Sequence, residues 1–316
     1  MPADRIDVHF HVIPAFYRDA AVAAGRVPAR GSYPEYSIEL ALELMDRHAI
    51  GVAMTSVSQP GVHFGDDRAA RTLARRCNEY AAELNARRPR RFGAFATLTL
   101  PDTEGTLAEI DYCLDALKLD GVCLFASYAE KYLGDAAFDP VMEKLNARGA
   151  VVFVHPAMHP STRHIDLPWP LFMMEYVFDT TRAAVNLVLS GALERYPDIR
   201  FILAHAGGVA PYIAWRVSVS PMIDARMPQL SREKISAGFR RFWYDTALAP
   251  AAATMGCLEQ IADPARIVFG SDWPFANAAV QKAADADRER ALSARQRGAI
   301  DWQNALALFP RLAQAF

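Results

Sequence analysis

Two histidines one residue apart, His9 and His11, stand in the run "RIDVHFHVIP". In an extended strand, side chains alternate between faces, so both imidazoles point one way and Phe10 points the other. Two neutral imidazoles at i and i+2 can meet one metal ion, although core histidines held by hydrogen bonds are also common. Three more polar residues close apolar runs in the same manner. His155 ends "VVFVH", His205 ends "RFILAH", and Asp272 ends "RIVFGSD". Each has a plain alternative: a hydrogen-bonded rim histidine, or, for Asp272 ahead of Pro274, a helix N-cap. Five such residues at four run ends are hard to ascribe to chance, provided that the runs are strands opening on one rim.

The elements that must position them follow from the pattern. Eight short apolar runs qualify as strands: "RIDVHF", 51–57, 92–98, 121–125, 150–155, 200–206, 242–247 and 266–272. Most lack polar alternation, as befits parallel strands buried on both faces. Amphipathic stretches lie between them. Residues 37–48 carry a serine at the expected N-cap, 66–88 are charged on one side and apolar on the other, and 103–118, 139–149 and 180–197 repeat the theme. Eight strands, each followed by helix, predict an α/β fold of the (β/α)₈ TIM-barrel class, whose active sites sit at the C-terminal ends of the strands. An open doubly wound sheet competes, but no Gly-rich phosphate loop follows the first strand. No linker or low-complexity tract divides the chain, so a single domain spanning 1–316 is predicted. The aromatic, Pro-rich stretch 155–179 reads as a long loop after the fifth strand, either a lid or subunit contact or a segment packed on its own barrel.

Composition narrows the function. The chain has 316 residues, 52% of them hydrophobic and 22% charged, with a formal net charge of -2. That balance gives no general attraction to nucleic acid or to an anionic membrane surface, and no apolar run reaches transmembrane length. The four cysteines, Cys77, Cys113, Cys123 and Cys257, are scattered without CxxC spacing. They read as buried free thiols in a reducing compartment. The first strand begins by about Ile6, which leaves no room for a targeting segment, and a cytoplasmic location is expected.

The stretches "DVHFHVIP", "VVFVHP", "YPDIRFILAHAGG" and "RIVFGSDWPF" occur in this order across almost the whole chain. Together they resemble the amidohydrolase superfamily of metal-dependent barrels, and the "HAGG" and "GSDWPF" contexts resemble the branch that contains the aminocarboxymuconate semialdehyde, 6-methylsalicylate and γ-resorcylate decarboxylases. The resemblance implies that His9, His11, His155 and Asp272 bind the metal and that His205 sits beside it as a catalytic base or polarising group. It implies a role for Arg216 in reaching the substrate of a partner subunit, hence a homodimer or a dimer-based homo-oligomer; the plain alternative is a solvated helix residue. In this branch the proton-handling role belongs to the strand-eight aspartate or to water, so Asp272 is assigned both catalysis and ligation.

Three nitrogens and a carboxylate suit Zn²⁺, with Mn²⁺ or Fe²⁺ fitting an open site of higher coordination. Binuclear relatives need a bridging lysine or glutamate at the end of strand four, and "DGVCLFAS" offers neither. One divalent metal per subunit is therefore expected. The leading reading is a mononuclear carboxy-lyase acting on a small aromatic or unsaturated carboxylic acid. The alternative is a hydrolase of a lactone, amide or related bond on the same site, and a catalytically silent barrel is a third reading. Phe10, Phe16, Trp169, Phe172, Trp273 and Phe275 lie on or near the expected rim and suit a flat substrate, although about half of such aromatics serve the core. Trp169, Phe172 and Trp273 are the substrate-binding candidates among them, joined by His159. His164 and His63 are weaker candidates on rim loops, and His48 is read as a helix-terminal residue favoured there by the helix dipole.

Overall fold

The computed structural model describes residues 5–315, with side chains to 313. The barrel strands are β1 (Arg5–His11), β2 (Ile50–Ser56), β3 (Phe92–Thr97), β4 (Gly121–Phe125), β5 (Val151–His155), β6 (Arg200–Leu203), β7 (Trp243–Asp245) and β8 (Ile267–Val268). They pair in chain order and in parallel. The ring is drawn shut between its last and first strands: Val8 N–H donates to Phe269 O, Asp272 N–H to His9 O and His11 N–H to Trp273 O, at 2.9, 2.8 and 2.7 Å. All eight expected runs are barrel strands. Several are shorter than the apolar run suggests, because the chain turns into the rim loops before the hydrophobic residues end.

The helices are α1 (Ala15–Ala23), α2 (Ile38–Arg47), α3 (Asp67–Arg87), α4 (Thr103–Asp111), α5 (Asp139–Asn146), α6 (Phe172–Leu189), α7 (Ala192–Arg195), α8 (Ala210–Ser218), α9 (Ser220–Ile223), α10 (Arg232–Arg241), α11 (Ala252–Glu259), α12 (Ala278–Ala291), α13 (Ala294–Gly298) and α14 (Asn304–Leu308). The cap expected for α2 is present, with Ser37 Oγ accepting from Leu40 N–H at 3.1 Å, and Asp66 caps α3 in the same way. One expectation fails. Residues 155–179 are not all loop: a short 3₁₀ turn spans Pro160–His164, and α6 already begins at Phe172. Its first turns carry the aromatic and methionine-rich run that disguised it, while Glu175, Asp179, Thr180 and Thr181 form part of its buried face. Gly191, with φ +72°, separates α6 from α7.

Two apolar clusters divide the interior. The larger lies between the barrel and its helices. The smaller fills the barrel's lower half with inward residues such as Ile6, Val8, Phe95, Phe153 and Ile202, and is plugged from below by Ala305, Leu308, Phe309 and Leu312. Above this plug, the inward positions turn polar.

Candidate metal centre

The change from apolar to polar starts with a bulge in β1. Ile6 and Val8 face the inner cluster, yet the His9 ring also packs inward on Phe153, 4.9 Å between centroids. Two successive inward residues require a break in alternation, and the register with β2 slips between Asp7 and Phe10. Asp7 supports that break: its Oδ1 accepts from His9 N–H at 3.0 Å and from Ser271 N–H at 3.1 Å. Burial raises the Asp7 carboxyl to about 7. From His9 onward the alternation resumes, with His9 and His11 inward and Phe10 in the outer core.

The side chains meet as follows. His9 Nε2 lies 3.1 Å from His11 Nε2, and each lies 3.2 Å from Asp272 Oδ1. The His155 ring centroid is 5.2 Å from that of His9 and 4.9 Å from that of His11. Ligand atoms of His9, His11, His155 and Asp272 all fall within 4.8 Å of one another, and all four residues are buried. Each imidazole is anchored through Nδ1. His9 Nδ1 bonds Asp245 Oδ2 at 2.7 Å, His11 Nδ1 bonds Ser56 Oγ at 3.0 Å, and His155 Nδ1 bonds Pro156 O at 2.8 Å. Anchoring each Nδ1 turns each Nε2 into the site, where its lone pair, once free of a proton, can bind a metal.

The electrostatics favour a cation at this point. Burial presses the His9 imidazolium down, but the Asp245 and Asp272 carboxylates outweigh it and raise the group to about 10. His11 and His155 are lowered, first by burial and then by their imidazole neighbours, His155 far below the ordinary value. Burial pushes Asp272 up, yet His9 and the hydrogen bonds from His11 and His9 hold it well below the usual carboxylate range. Two imidazoles kept neutral, a third whose proton an entering cation would displace, and an ionised carboxylate are the donor set of a divalent metal. A second carboxylate, Asp245, touches His9 from its Nδ1 side and groups with His9 and His205, so it shares one ligand with the four-residue set; at the end of β4 the Phe125 ring stands 6.2 Å from His155.

His205 follows β6 on a strained turn: it and Ala206 both have φ +55°, and Asp272 has φ +63°. Non-glycine residues in this region cost about 1–3 kcal/mol each and cluster at functional sites. The His205 ring lies 4.9 Å from His9. Its backbone N–H donates to Asp245 Oδ1 at 2.9 Å and its Nδ1 bonds Ala247 O at 3.1 Å, which frees Nε2 as an acceptor. Asp245 thus ties His9, His205 and, through Ala247 N–H at 3.0 Å, its own loop. It closes β7 just as the other site residues close their strands, so the strand-end rule that found them applies to it too. The backbone of β8 approaches closely here: a Cβ on Gly270 would meet His9 Cβ at 2.8 Å.

The remaining candidates scatter. Trp273, expected at the mouth, is instead buried on the outer side, stacked on Phe10 at 4.8 Å and leaning on Tyr36. Its neighbour Asp272 takes the inward place, so the next side chain goes out. Phe275 is at the mouth, 5.5 Å from the His11 ring. Phe16 packs instead against Tyr80 and Arg76. Phe172 touches Tyr176, whose own ring reaches within 6.2 Å of His155 and whose hydroxyl donates to Gln59 Oε1 at 2.8 Å. Tyr176 was hidden in the stretch read as loop. Trp169 is 54% exposed. His159 stacks on Tyr132 at 4.8 Å, and its Nε2 is buried without a partner. His164 ends the 3₁₀ turn, exposed. Arg216 is exposed on α8. His63 bonds Asp67, and His48 bonds Asp285, both at 2.8 Å.

The model of the amidohydrolase family matches residues 6–311. A 6-methylsalicylic acid decarboxylase of Penicillium expansum is 37% identical over 98% of this chain and 97% of its own length. A gamma-resorcylate decarboxylase of Polaromonas sp. strain JS666 is 30% identical over 91% and 93%. The crystal structure of a dihydroxybenzoic acid decarboxylase from Polaromonas sp. JS666, with bound manganese and the inhibitor 2-nitroresorcinol, superposes with a TM-score of 0.82 at 27% identity, covering 98% of this chain and 97% of that one.

Proposed function

The chain belongs to the amidohydrolase family, and on that premise we propose that it is a metal-dependent, non-oxidative decarboxylase of a small aromatic carboxylic acid bearing a hydroxyl beside the carboxylate. The observation that carries this reading is the convergence of His9, His11, His155 and Asp272 within 4.8 Å in a chain whose full-length relatives are named as aromatic acid decarboxylases. Those four residues hold one divalent ion, Zn²⁺ or Mn²⁺. Its positive charge, when bound, attracts the substrate's carboxylate and hydroxyl oxygens and withdraws electron density toward them.

The protein's own groups supply the rest. His205 Nε2, freed by the Nδ1 bond to Ala247 O, accepts the hydrogen bond or the proton of the substrate hydroxyl. That raises electron density at the ring carbon bearing the carboxylate. Asp272 engages the imidazoles through Oδ1, which leaves Oδ2 to relay to that carbon the proton that His205 takes from the hydroxyl, Asp272 being ionised before and after. As the new C–H bond forms, the bond to the carboxylate breaks, its electron pair returns to the ring, and CO₂ departs. The buried ligands keep bulk water from the reacting atoms. Phe275, Phe172 and Tyr176 are the rings best placed to hold a flat substrate, and Trp169 and His159 stand on the loop that leads into α6.

The test is a screen of 6-methylsalicylate, 2,6-dihydroxybenzoate and salicylate for CO₂ release with Zn²⁺- and Mn²⁺-loaded enzyme. Release of CO₂ from at least one is expected. A protein that binds metal yet opens lactones or cleaves amides, and leaves these acids intact, would be the hydrolase instead.

A homodimer is part of the same proposal. Tyr212, Trp215, Met222 and Ile223 on α8 and α9 are 83, 65, 82 and 71% exposed, and α6 packs beside α8 with Met173 and Met174 also exposed. Apolar surface of this kind marks an interaction site, and Arg216 lies within it, placed to reach a second copy. Sedimentation should give a dimer that Trp215→Glu splits; a wild-type monomer at working concentration would remove both the dimer and the role of Arg216. No described helix is long and apolar enough to cross a membrane. All four cysteines are free, and burial pushes the Cys77 and Cys123 thiols up to about 12. Four unpaired thiols support a reducing, cytoplasmic location.

A further inference from the structure

His9 is oriented by a carboxylate directly, through Asp245. His155 is held at Nδ1 by a backbone carbonyl, Pro156 O, while its Nε2 faces Ser58 Oγ at 3.4 Å. That carbonyl belongs to the Pro156–Ala157 peptide, and the N–H of the same peptide donates to Asp179 Oδ2 at 2.8 Å. Asp179 is buried in α6, and its other oxygen accepts from Ser127 Oγ at 2.9 Å. The chain of bonds therefore runs from a buried carboxylate, through one peptide unit, to the Nδ1 of a candidate ligand.

We propose that Asp179 is a positioning residue for the metal centre, holding and polarising the Pro156–Ala157 peptide so that its carbonyl fixes the tautomer and orientation of His155. A peptide whose N–H is held by a carboxylate carries more negative charge on its oxygen, since hydrogen bonds in series strengthen one another at low dielectric. That carbonyl grips Nδ1–H more firmly and makes Nε2 a better electron donor. The two histidines thus receive the same kind of support by different routes, one direct and one relayed. Helix α6 also brings Tyr176 to the site, so the segment that carries Asp179 serves the centre twice.

This inference rests on reading His155 as a metal ligand, and the experiment separates the two. Co²⁺ is titrated into metal-stripped protein against a competing chelator, and the visible spectrum of the bound ion is recorded. For Asp179→Asn, which keeps an oxygen acceptor but loses the charge, the Co²⁺ dissociation constant should rise about 10–100-fold and the spectrum should shift. The apo-protein should melt within a few degrees of wild type. Ser127→Ala, which leaves the charge and the Ala157 bond in place, should bind Co²⁺ within about threefold of wild type on the same scale. Binding by Asp179→Asn within twofold of wild type overturns the proposal. So does a loss in Ser127→Ala as large as in Asp179→Asn, because the effect would then be general packing. Should Asp179→Asn fail to fold, the wild-type Ala157 amide proton decides: it should move downfield when Zn²⁺ binds, and an unmoved resonance overturns the relay. Wild-type protein that takes up no Co²⁺ sinks the metal-site reading itself, whatever the variants do.

Discussion

The two ends of the barrel are built from the same strands to opposite rules. At the C-terminal mouth, inward positions hold His9, His11, His155, Asp245 and Asp272, set on a bulge and on positive-φ residues. At the other end they hold Ile6, Val52, Phe95 and Val151, sealed by Leu308, Phe309 and Leu312 and framed by the ion pairs of Arg5 with Asp285 and Arg288 with Asp301. The closed end buries apolar surface, and from it the mouth draws the rigidity that keeps imidazoles and a carboxylate in contact. Damage to the mouth should therefore cost chemistry and spare stability, and damage to the plug should do the reverse.

The largest effect belongs to a metal ligand. His155→Ala removes an Nε2 donor, so metal content should fall from about one per chain to under about a tenth, with turnover down by more than ~10³-fold. Elemental analysis and CO₂ release measure the two. Full metal content in the variant would take His155 out of the ligand set. His205→Asn comes next: metal should stay bound while turnover drops about 10²–10⁴-fold, the range for loss of a general acid or base. An unchanged rate would leave His205 as a strained rim residue without a part in the reaction. At the opposite end, Phe309→Ala opens a void beneath Phe95, whose ring is 5.9 Å away. Unfolding in urea should show a loss of about 3–5 kcal/mol, while the rate per folded molecule stays near wild type. A variant whose stability holds but whose metal leaves would erase the division between the two ends.

The same division explains what could be read from the residues alone. The closed end and the barrel itself are written in local patterns: apolar runs, N-caps at Ser37 and Asp66, and helical stripes between them. The ligands were legible because each is a polar residue closing an apolar run, a signal that needs only the strand count to become geometry. Asp245 carried that signal and went unused, since "FWYDTA" looks like any strand with one acid in it. Asp179 and Tyr176 carried none, because α6 begins inside a stretch whose prolines and aromatics imitate a loop, and their roles depend on contacts with His155 and with Ser127 and Ala157, just past the ends of β4 and β5. Trp273 was misplaced for a simpler reason: a rim position does not reveal which face a side chain takes, and its neighbour Asp272 had already taken the inward one.

The smallest change tests how finely the mouth is tuned. The three imidazoles are anchored by acceptors of different strength: a carboxylate for His9, a carbonyl for His155, and the neutral hydroxyl of Ser56 for His11. Ser56 also reaches back to Phe10 O at 3.5 Å, a long bond that adds little. Replacing it by alanine removes one neutral hydrogen bond, worth about 0.5–1.5 kcal/mol. Ser56→Ala should thus weaken Co²⁺ binding only about 2–10-fold on the same energy scale, less than Asp245→Asn, which takes a charge from His9. If Ser56→Ala costs as much as Asp245→Asn, the charge of the anchor is not what sets affinity. The site would then depend on the mere presence of an Nδ1 partner, and the relayed carboxylate behind His155 would lose its rationale along with the direct one behind His9.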